Sequence, residues 1–399
     1  MSKYSAGSVT IIIVVSHRDL STVLFERTLS RTQAGVGVRS GCTPELLSNY
    51  SQLLKEQKVT WDEVINFRQI LGHGGQGIVY LSERVGTDGF VLPIAIKVFS
   101  PERFAGDSLY EEEMNNMASV TAKVARIQHD HLLAVHTWRA ANRIRFMEME
   151  LIDGFDLNKL LQQEMLDHLH TQVSARRWKH INEVVVTRGM MHPRLMPGIA
   201  VPIIRDCLGA LAALHRGGVV HGDIKPSNIM LKRTGNAKVI DIGSAFEIDK
   251  LRMHRTFTLA YAPPEVLEGK DGTPRSDIAS LGYVLIEMLS GRRLFNSQSE
   301  FQGLQGRLIL PSKLHQILPS QVASSERLMS FCKGLIAPDP NKRFESAEAA
   351  DVFHDGAADF QRELIIGGLA CEYEPEIRNW LDELGNYSKN NEITKKVEG

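Results

Sequence analysis

The chain has 399 residues, 43% apolar and 23% charged, the composition of a folded globular protein and not of a disordered or fibrous chain. Lys plus Arg, 46, nearly cancels Asp plus Glu, 47, so no net field draws it to nucleic acid or to an anionic membrane. Its four cysteines, Cys42, Cys207, Cys332 and Cys371, are widely spaced with no Cys-x-x-Cys pair, which fits reduced thiols and a cytoplasmic setting better than a disulfide or zinc framework.

Residues 1–60 form an extension whose role no pattern reveals. Val9 to Val15 is β-branched and predicts a strand; its apolar part, Ile11 to Val15, is too short for a membrane span or a signal segment. Thr43-Pro44 predicts the cap and first position of a helix. Leu46, Leu47, Tyr50, Leu53 and Leu54 then form one stripe at helical spacing, which packs on a core more often than on a partner. His17-Arg18-Asp19 imitates part of a catalytic motif discussed below, but Ser21 and Leu24 stand where a lysine and an asparagine are required.

From Phe67 the pattern changes. Gly72-His73-Gly74-Gly75-Gln76-Gly77 is followed by Ile78 to Ser82 and then by Pro93 to Phe99, so the glycines are predicted in a hairpin and not at the start of a helix, as a dinucleotide site would need. Glycines there let backbone N–H groups approach phosphates. Lys97 lies inside an apolar run, where an unpaired ammonium is costly. Tyr110 to Ile127 predicts a helix with Glu111, Glu112 and Glu113 at its front. His129, His131 and His136 follow it and are expected to be solvated or capped, not metal ligands. Phe146 to Leu157 reads as a buried strand entering a turn, Leu157 to Leu169 and Val201 to His215 as helices, and Thr171 to Ile199 as a long segment rich in Arg, His and Met.

The stretch Val219 to Phe246 carries the chemistry. Two apolar runs flank a loop with Asp223, Lys225 and Asn228, and a second acid, Asp241, follows the later run. Phosphoryl transfer needs these groups: a carboxylate for the hydroxyl proton, a cation for the transferring group, and two oxygen ligands for Mg²⁺.

Taken together, these motifs resemble those of the protein kinase family, of the eukaryotic-like (Hanks-type) Ser/Thr class. His221-Gly222-Asp223-Ile224-Lys225 with Asn228 is similar to H-R-D-x-K-x-x-N, and Asp241-Ile242-Gly243 to D-F-G. Thr256 to Glu265 is similar to G-T-x-x-Y-x-A-P-E, Ser276 to Gly282 to S-D-x-x-S-x-G, and Asp339 to Arg343 to D-P-x-x-R. The resemblance covers about residues 65–362. It implies an α+β, bilobal fold: a β-rich N-lobe over 61–152, a larger helical C-lobe over 153–365 with an insertion at about 171–199, and a tail over 366–399.

It also implies roles. Asp223 is the catalytic base, Lys225 steadies the γ-phosphate, and Asn228 and Asp241 hold Mg²⁺, for which Mn²⁺ could substitute. ATP is implied to contact Gly72, Gly74, Gly77, Val79, Ala95, Lys97 and Met230, with Met149 as gatekeeper and the backbone of Glu150 to Ile152 at the adenine edge. Lys97 is expected to pair with Glu113, or second with Glu112, although the family's usual spacing back from His129 falls on Val120. Asp277 is implied to brace the catalytic loop, Thr258 to bond it, Thr256 to be a candidate phosphosite, and Arg343 to pair with Glu265.

The function expected is an ATP- and Mg²⁺-dependent protein Ser/Thr kinase with unidentified protein substrates and neither nucleic acid nor membrane as partner. A regulatory partner at 1–60 or 171–199 is a further expectation. Two other readings remain at this stage: a small-molecule phosphotransferase of aminoglycoside or choline-kinase type, and a nucleotide-binding pseudokinase scaffold. Gly222 replaces the Arg that receives an activation-segment phosphate in the family, so activity independent of phosphate at Thr256 is expected.

Overall fold

In the computed structural model, residues 8–9, 27–30, 41–60, 64–248, 256–295, 300–366 and 372–385 are described. Strands β1 (Gln69–Gly74), β2 (Gly77–Val85), β3 (Val91–Phe99), β4 (Val135–Ala141) and β5 (Ile144–Glu150) form one antiparallel sheet in the order β1-β2-β3-β5-β4. The β1–β2 connection is the two-residue turn Gly75-Gln76 between the paired Gly74 and Gly77, so the glycines do sit in a hairpin. In β3 every residue from Ile94 to Phe99 is buried, Lys97 included, because the sheet is covered on both faces.

Helix α1 (Pro44–Glu56) is one of those covers. Thr43 Oγ1 accepts the Leu46 N–H at 3.3 Å, Pro44 needs no donor partner at the first position, and Leu46, Tyr50 and Leu53 are buried beside β5. The predicted stripe is therefore core. Helix α2 (Asp107–Val124) packs on β4 and begins three residues before the predicted start at Tyr110. Of the strand predicted over Val9 to Val15 only Val9 is described, as the end of the strand Ser8–Val9; residues 10–15, His17 to Asp19 and Cys371 lie outside the described residues.

Past Glu150 the chain becomes helical: α3 (Gln163–Gln172), α4 (Ala175–Val184), α5 (Pro197–Arg216), α6 (Pro274–Ser290), α7 (Glu300–Ile317), α8 (Glu326–Ile336) and α9 (Tyr373–Glu383). All of α6 from Ser276 to Ser290 is buried, and α5 and α8 pack against it, so α6 is the axis of this part. Helix α5 is long and apolar enough to cross a membrane, but 72% of that window is buried inside the fold, as befits a core helix.

One expectation changes here. The single helix predicted over Leu157 to Leu169 is broken, because Gln162 is extended (φ −84°, ψ 141°) between a short helix Leu157–Leu160 and α3, and the two pieces bury separate sets of leucines. The segment Thr171 to Ile199 folds as α4 and a hairpin pairing Val186–Thr187 with Arg194–Leu195. Arg177 of α4 binds Glu376 and Glu383 of α9 at 3.1 and 2.7 Å, and His180 contacts Glu376 at 2.7 Å, so the segment anchors the C-terminal helix.

Candidate active site

The floor of the site is the loop between the strand Val219–Val220 and the hairpin made by Ile229–Lys232 and Ala237–Val239. A three-residue turn, Pro226–Asn228, swings Lys225 and Asn228 to the same side as Asp223. Asp277, on the first turns of α6, accepts the N–H groups of His221 and Gly222 at 2.8 and 2.9 Å, so the core helix holds the loop by its backbone. That is the brace expected of Asp277.

Asp223 is buried. Its Oδ1 accepts the Thr258 N–H at 2.9 Å, and its Oδ2 stands 3.0 Å from Lys225 Nζ, which also donates to Thr258 Oγ1 at 2.8 Å. Burial alone would raise the Asp223 pKa; the Lys225 ammonium and the Thr258 bond outweigh it and hold the carboxyl below its ordinary value. The group is thus an ionised acceptor at neutral pH. Asn228 Nδ2 donates to the Asp223 carbonyl at 2.8 Å, which points its other terminal atom away.

Asn228 Oδ1 and Asp241 Oδ2 are buried oxygens with no hydrogen-bond partner. Two such orphans are costly unless something else pairs them. A hard cation coordinated by one neutral and one anionic oxygen, with water or phosphate completing its shell, would do so. One amide and one carboxylate oxygen are hard donors that suit Mg²⁺ better than zinc, which takes His and Cys ligands.

Lys97 closes the site from the sheet. Its Nζ donates to Asp241 Oδ1 at 2.6 Å and to Gln76 Oε1 at 2.8 Å. The expected partner, Glu113, is corrected by this geometry, and so is the second choice, Glu112. Glu112 is exposed, while Glu113 is half-buried and acts on the guanidinium of Arg103. Val120, where the family spacing falls, is 6% exposed and apolar, so α2 presents no carboxylate at that turn. The ammonium is instead satisfied by the glycine-rich turn and by Asp241. A Cβ at Gly243 would stand 2.0 Å from Gln76 Oε1 and 2.9 Å from Lys97 Nζ, so those two side-chain ends would have to move aside.

The predicted nucleotide-contacting residues line the sheet side. Gly72 pairs with Val79 across a bulge, Gly74 with Gly77, Val79 with Lys97, and Ala95 with Met149; Val79, Ala95 and Met149 are buried. Below them Ile152 and Met230 are buried, Met230 opposite Asp156 in the next hairpin. The Glu150 carboxylate accepts the Ala134 N–H at 2.6 Å and the Lys238 ammonium at 2.5 Å, so its side chain is engaged at the lobe junction.

Gly222 has φ +77°, and a Cβ there would lie 2.9 Å from the Ser244 carbonyl oxygen and 3.1 Å from the Phe246 ring. The ring fills the space an arginine would enter. Glu265 and Arg343 form the expected buried fork, Oε1 and Oε2 accepting from Nη1 and Nη2 at 2.7 and 2.8 Å. One residue gave no sequence signal. Arg307 in α7 is fully buried, lies 3.9 Å from the Phe295 ring centroid, and donates to the carbonyls of Leu259, Ala262 and Gly303, tying α7 to the segment after Thr258. Gln76 was visible within the glycine-rich turn, yet nothing in the sequence marks it as a lysine partner.

A protein kinase domain family model matches residues 65–353. The chain is 31% identical over 233 residues to the serine/threonine-protein kinase PknL of Mycobacterium tuberculosis, covering 57% of this chain and 50% of that protein. It is 28% identical over 285 residues to PknA of Corynebacterium glutamicum, covering 69% and 52%, and 29% identical over 293 residues to PknD of Mycobacterium tuberculosis, covering 72% and 39%. The chain therefore spans about half the length of the first curated relatives it matches.

Proposed function

The chain belongs to the protein kinase family, and on that premise we propose that it transfers the γ-phosphoryl group of ATP, with Mg²⁺, to Ser or Thr hydroxyls of protein acceptors. The observation that carries the reading is the pair of orphaned oxygens, Asn228 Oδ1 and Asp241 Oδ2, beside the Asp223–Lys225 pair and Lys97. Mg²⁺ held there would neutralise phosphate charge. Asp223 accepts the acceptor hydroxyl's proton, Lys225 faces the transferring group, and Lys97, already desolvated, draws the nucleotide's phosphates. The Glu265–Arg343 fork and the Asp277 brace fix this floor before any ligand arrives.

Activity that does not wait for phosphate at Thr256 is part of the proposal, supported by the Phe246 ring in the space beside Gly222. A cytoplasmic setting is proposed as well, supported by the buried, free thiols of Cys207 and Cys332. The test is incubation with γ-labelled ATP, Mg²⁺ and casein or a panel of sugars and choline. Label on Ser or Thr of casein, reduced at least about 10²-fold in Asp223→Asn with ATP still bound, is expected. Label on a small molecule and never on protein would move the function to small-molecule phosphotransfer; ATP binding with no transfer would leave a scaffold.

A further inference from the structure

The chain between Thr258 and the short helix Pro264–Leu267 has its own support. Phe257, Leu259, Ala262 and Leu267 form an apolar cluster separate from the main core, with Val266 and Leu304 of α7 packed against it. From Phe257 to Ala262 every residue is buried except Ala260, which is partly exposed, so the segment is a narrow platform whose accessible point is Ala260. Thr258 binds Asp223 through its N–H. Ala260 lies two residues on, at most about 7 Å along the chain, so a peptide that brings a hydroxyl to Asp223 has this point within reach.

The platform is held by its carbonyls. That of Thr258 accepts the N–H groups of Tyr261 and Ala262, each at 3.0 Å, and that of Tyr261 accepts the Ser280 hydroxyl of α6 at 2.9 Å. The carbonyls that bracket the exposed point, those of Leu259 and Ala262, both accept from Arg307 of α7: Leu259 from Nη2 at 2.8 Å, Ala262 from Nε. Arg307 Nη1 turns back to the Gly303 carbonyl at 2.7 Å, and the guanidinium lies 3.9 Å from the Phe295 ring centroid and 5.4 Å from that of Tyr283. Burial pulls its pKa down to about 10, so it stays charged at neutral pH. A cation taken out of water and met by carbonyls and ring faces is expensive, and an apolar side chain would serve stability at less cost. A planar fork does what an apolar side chain cannot, which is to fix the direction of two carbonyls at once.

We propose that Arg307 is a positioning residue for the protein acceptor: it sets the Leu259 and Ala262 carbonyls and so fixes the platform at Ala260 against which the chain flanking the acceptor Ser or Thr lies. This rests on the protein kinase reading above. Arg307 bonds to backbone carbonyls and not to Asp223 or Lys225. Thr258 keeps its own bonds to both of those residues, so loosening the platform weakens the hold on the acceptor and leaves the chemistry of the floor in place. Binding that is lost equally from the ground state and the transition state shows as a raised KM with an unchanged kcat.

The test uses the full chain with γ-labelled ATP and Mg²⁺, with casein as acceptor and, in parallel, with no acceptor, where transfer to water is read. Arg307→Met should raise KM for casein at least about tenfold, with kcat for casein, KM for ATP and the rate of ATP hydrolysis each within about twofold of wild type. Arg307→Lys keeps the buried cation but not the fork, and should raise KM for casein about three- to tenfold with the other three quantities unchanged. If urea unfolding shows that Arg307→Met does not fold, Arg307→Lys decides by the same split. A KM for casein within about twofold of wild type in the folded variants overturns the proposal and leaves the kinase reading intact. So does a fall in ATP hydrolysis equal to the fall in casein labelling, the mark of a residue that only supports the fold. A wild-type chain that labels no protein fails at the kinase reading itself, and the proposal falls with it.

Discussion

The floor of the site and its sheet-side wall are built on different principles. On the floor, Asp223, Lys225 and Asn228 come from six consecutive positions, and their bonds run to each other, to Thr258 and to the core helix through Asp277. On the wall, Lys97 must find a partner from another element, and it finds Gln76 and Asp241 instead of a glutamate of α2. Where spacing alone brings groups together, residues predict geometry. Where two elements must be docked, they do not, because a turn of difference in a helix moves a side chain about 5 Å along its axis.

The largest expected effect breaks the floor's support. Arg343→Leu leaves the Glu265 carboxylate buried without its fork, and losing one partner of such a pair costs about 3–5 kcal/mol. Burial alone would raise the Glu265 pKa; the Arg343 fork and the Ser276 hydroxyl outweigh it and hold it below the ordinary 4.5. A lowered carboxylate contributes stability that is complete above its unfolded value and lost as pH falls through the folded one. Urea unfolding should therefore show the gap between wild type and variant at neutral pH, narrowing below about pH 4.5. A gap constant down to pH 4 would mean that the fork does not hold the carboxyl ionised.

Next in size is the seam where floor and wall meet. Asp241→Asn removes the charge that both Lys97 and the proposed cation use, and turnover should fall about 10²–10³-fold, the scale of losing one preorganised charge-stabilising group. Casein labelling at saturating ATP measures it, and more Mg²⁺ should be needed for the half-maximal rate. A rate within threefold of wild type would detach Asp241 from the metal. Smaller still is Gln76→Ala, which deletes one bond to a buried ammonium. At about 1.5–3 kcal/mol for a bond to a charged group, KM for ATP should rise about ten- to 150-fold with kcat nearly unchanged.

Much of the floor was legible because its motifs are local: the Pro226–Asn228 turn and the Asp241 turn each follow from a few adjacent residues, while the Thr258 contact, 33 residues from Lys225, was legible only through the resemblance. The α1 cap at Thr43-Pro44 and its buried stripe were legible for the same reason. Arg307 was not, since a buried cation satisfied by three backbone carbonyls and aromatic faces leaves no charge pattern in the sequence. The break at Gln162 was not either, because Leu157 to Leu169 keeps helical spacing of apolar residues across a residue that only tertiary packing turns extended.

The smallest effect discriminates most sharply between wall and floor. Glu113 lies seven residues before Val120, about 10 Å along α2 at 1.5 Å per residue, so its carboxylate stays on the right face but well up the helix. With Lys97 bound to Gln76 and Asp241, Glu113→Gln should leave kcat and KM for ATP within about twofold, since a carboxylate that makes no bond to the reacting groups contributes little to them. A loss of tenfold or more would require α2 to slide by two turns during turnover, delivering Glu113 to the ammonium and releasing Gln76. In that case Glu113→Gln and Gln76→Ala would no longer act independently: Gln76→Ala would be almost silent in kcat/KM, and the double variant would be no worse than Glu113→Gln alone.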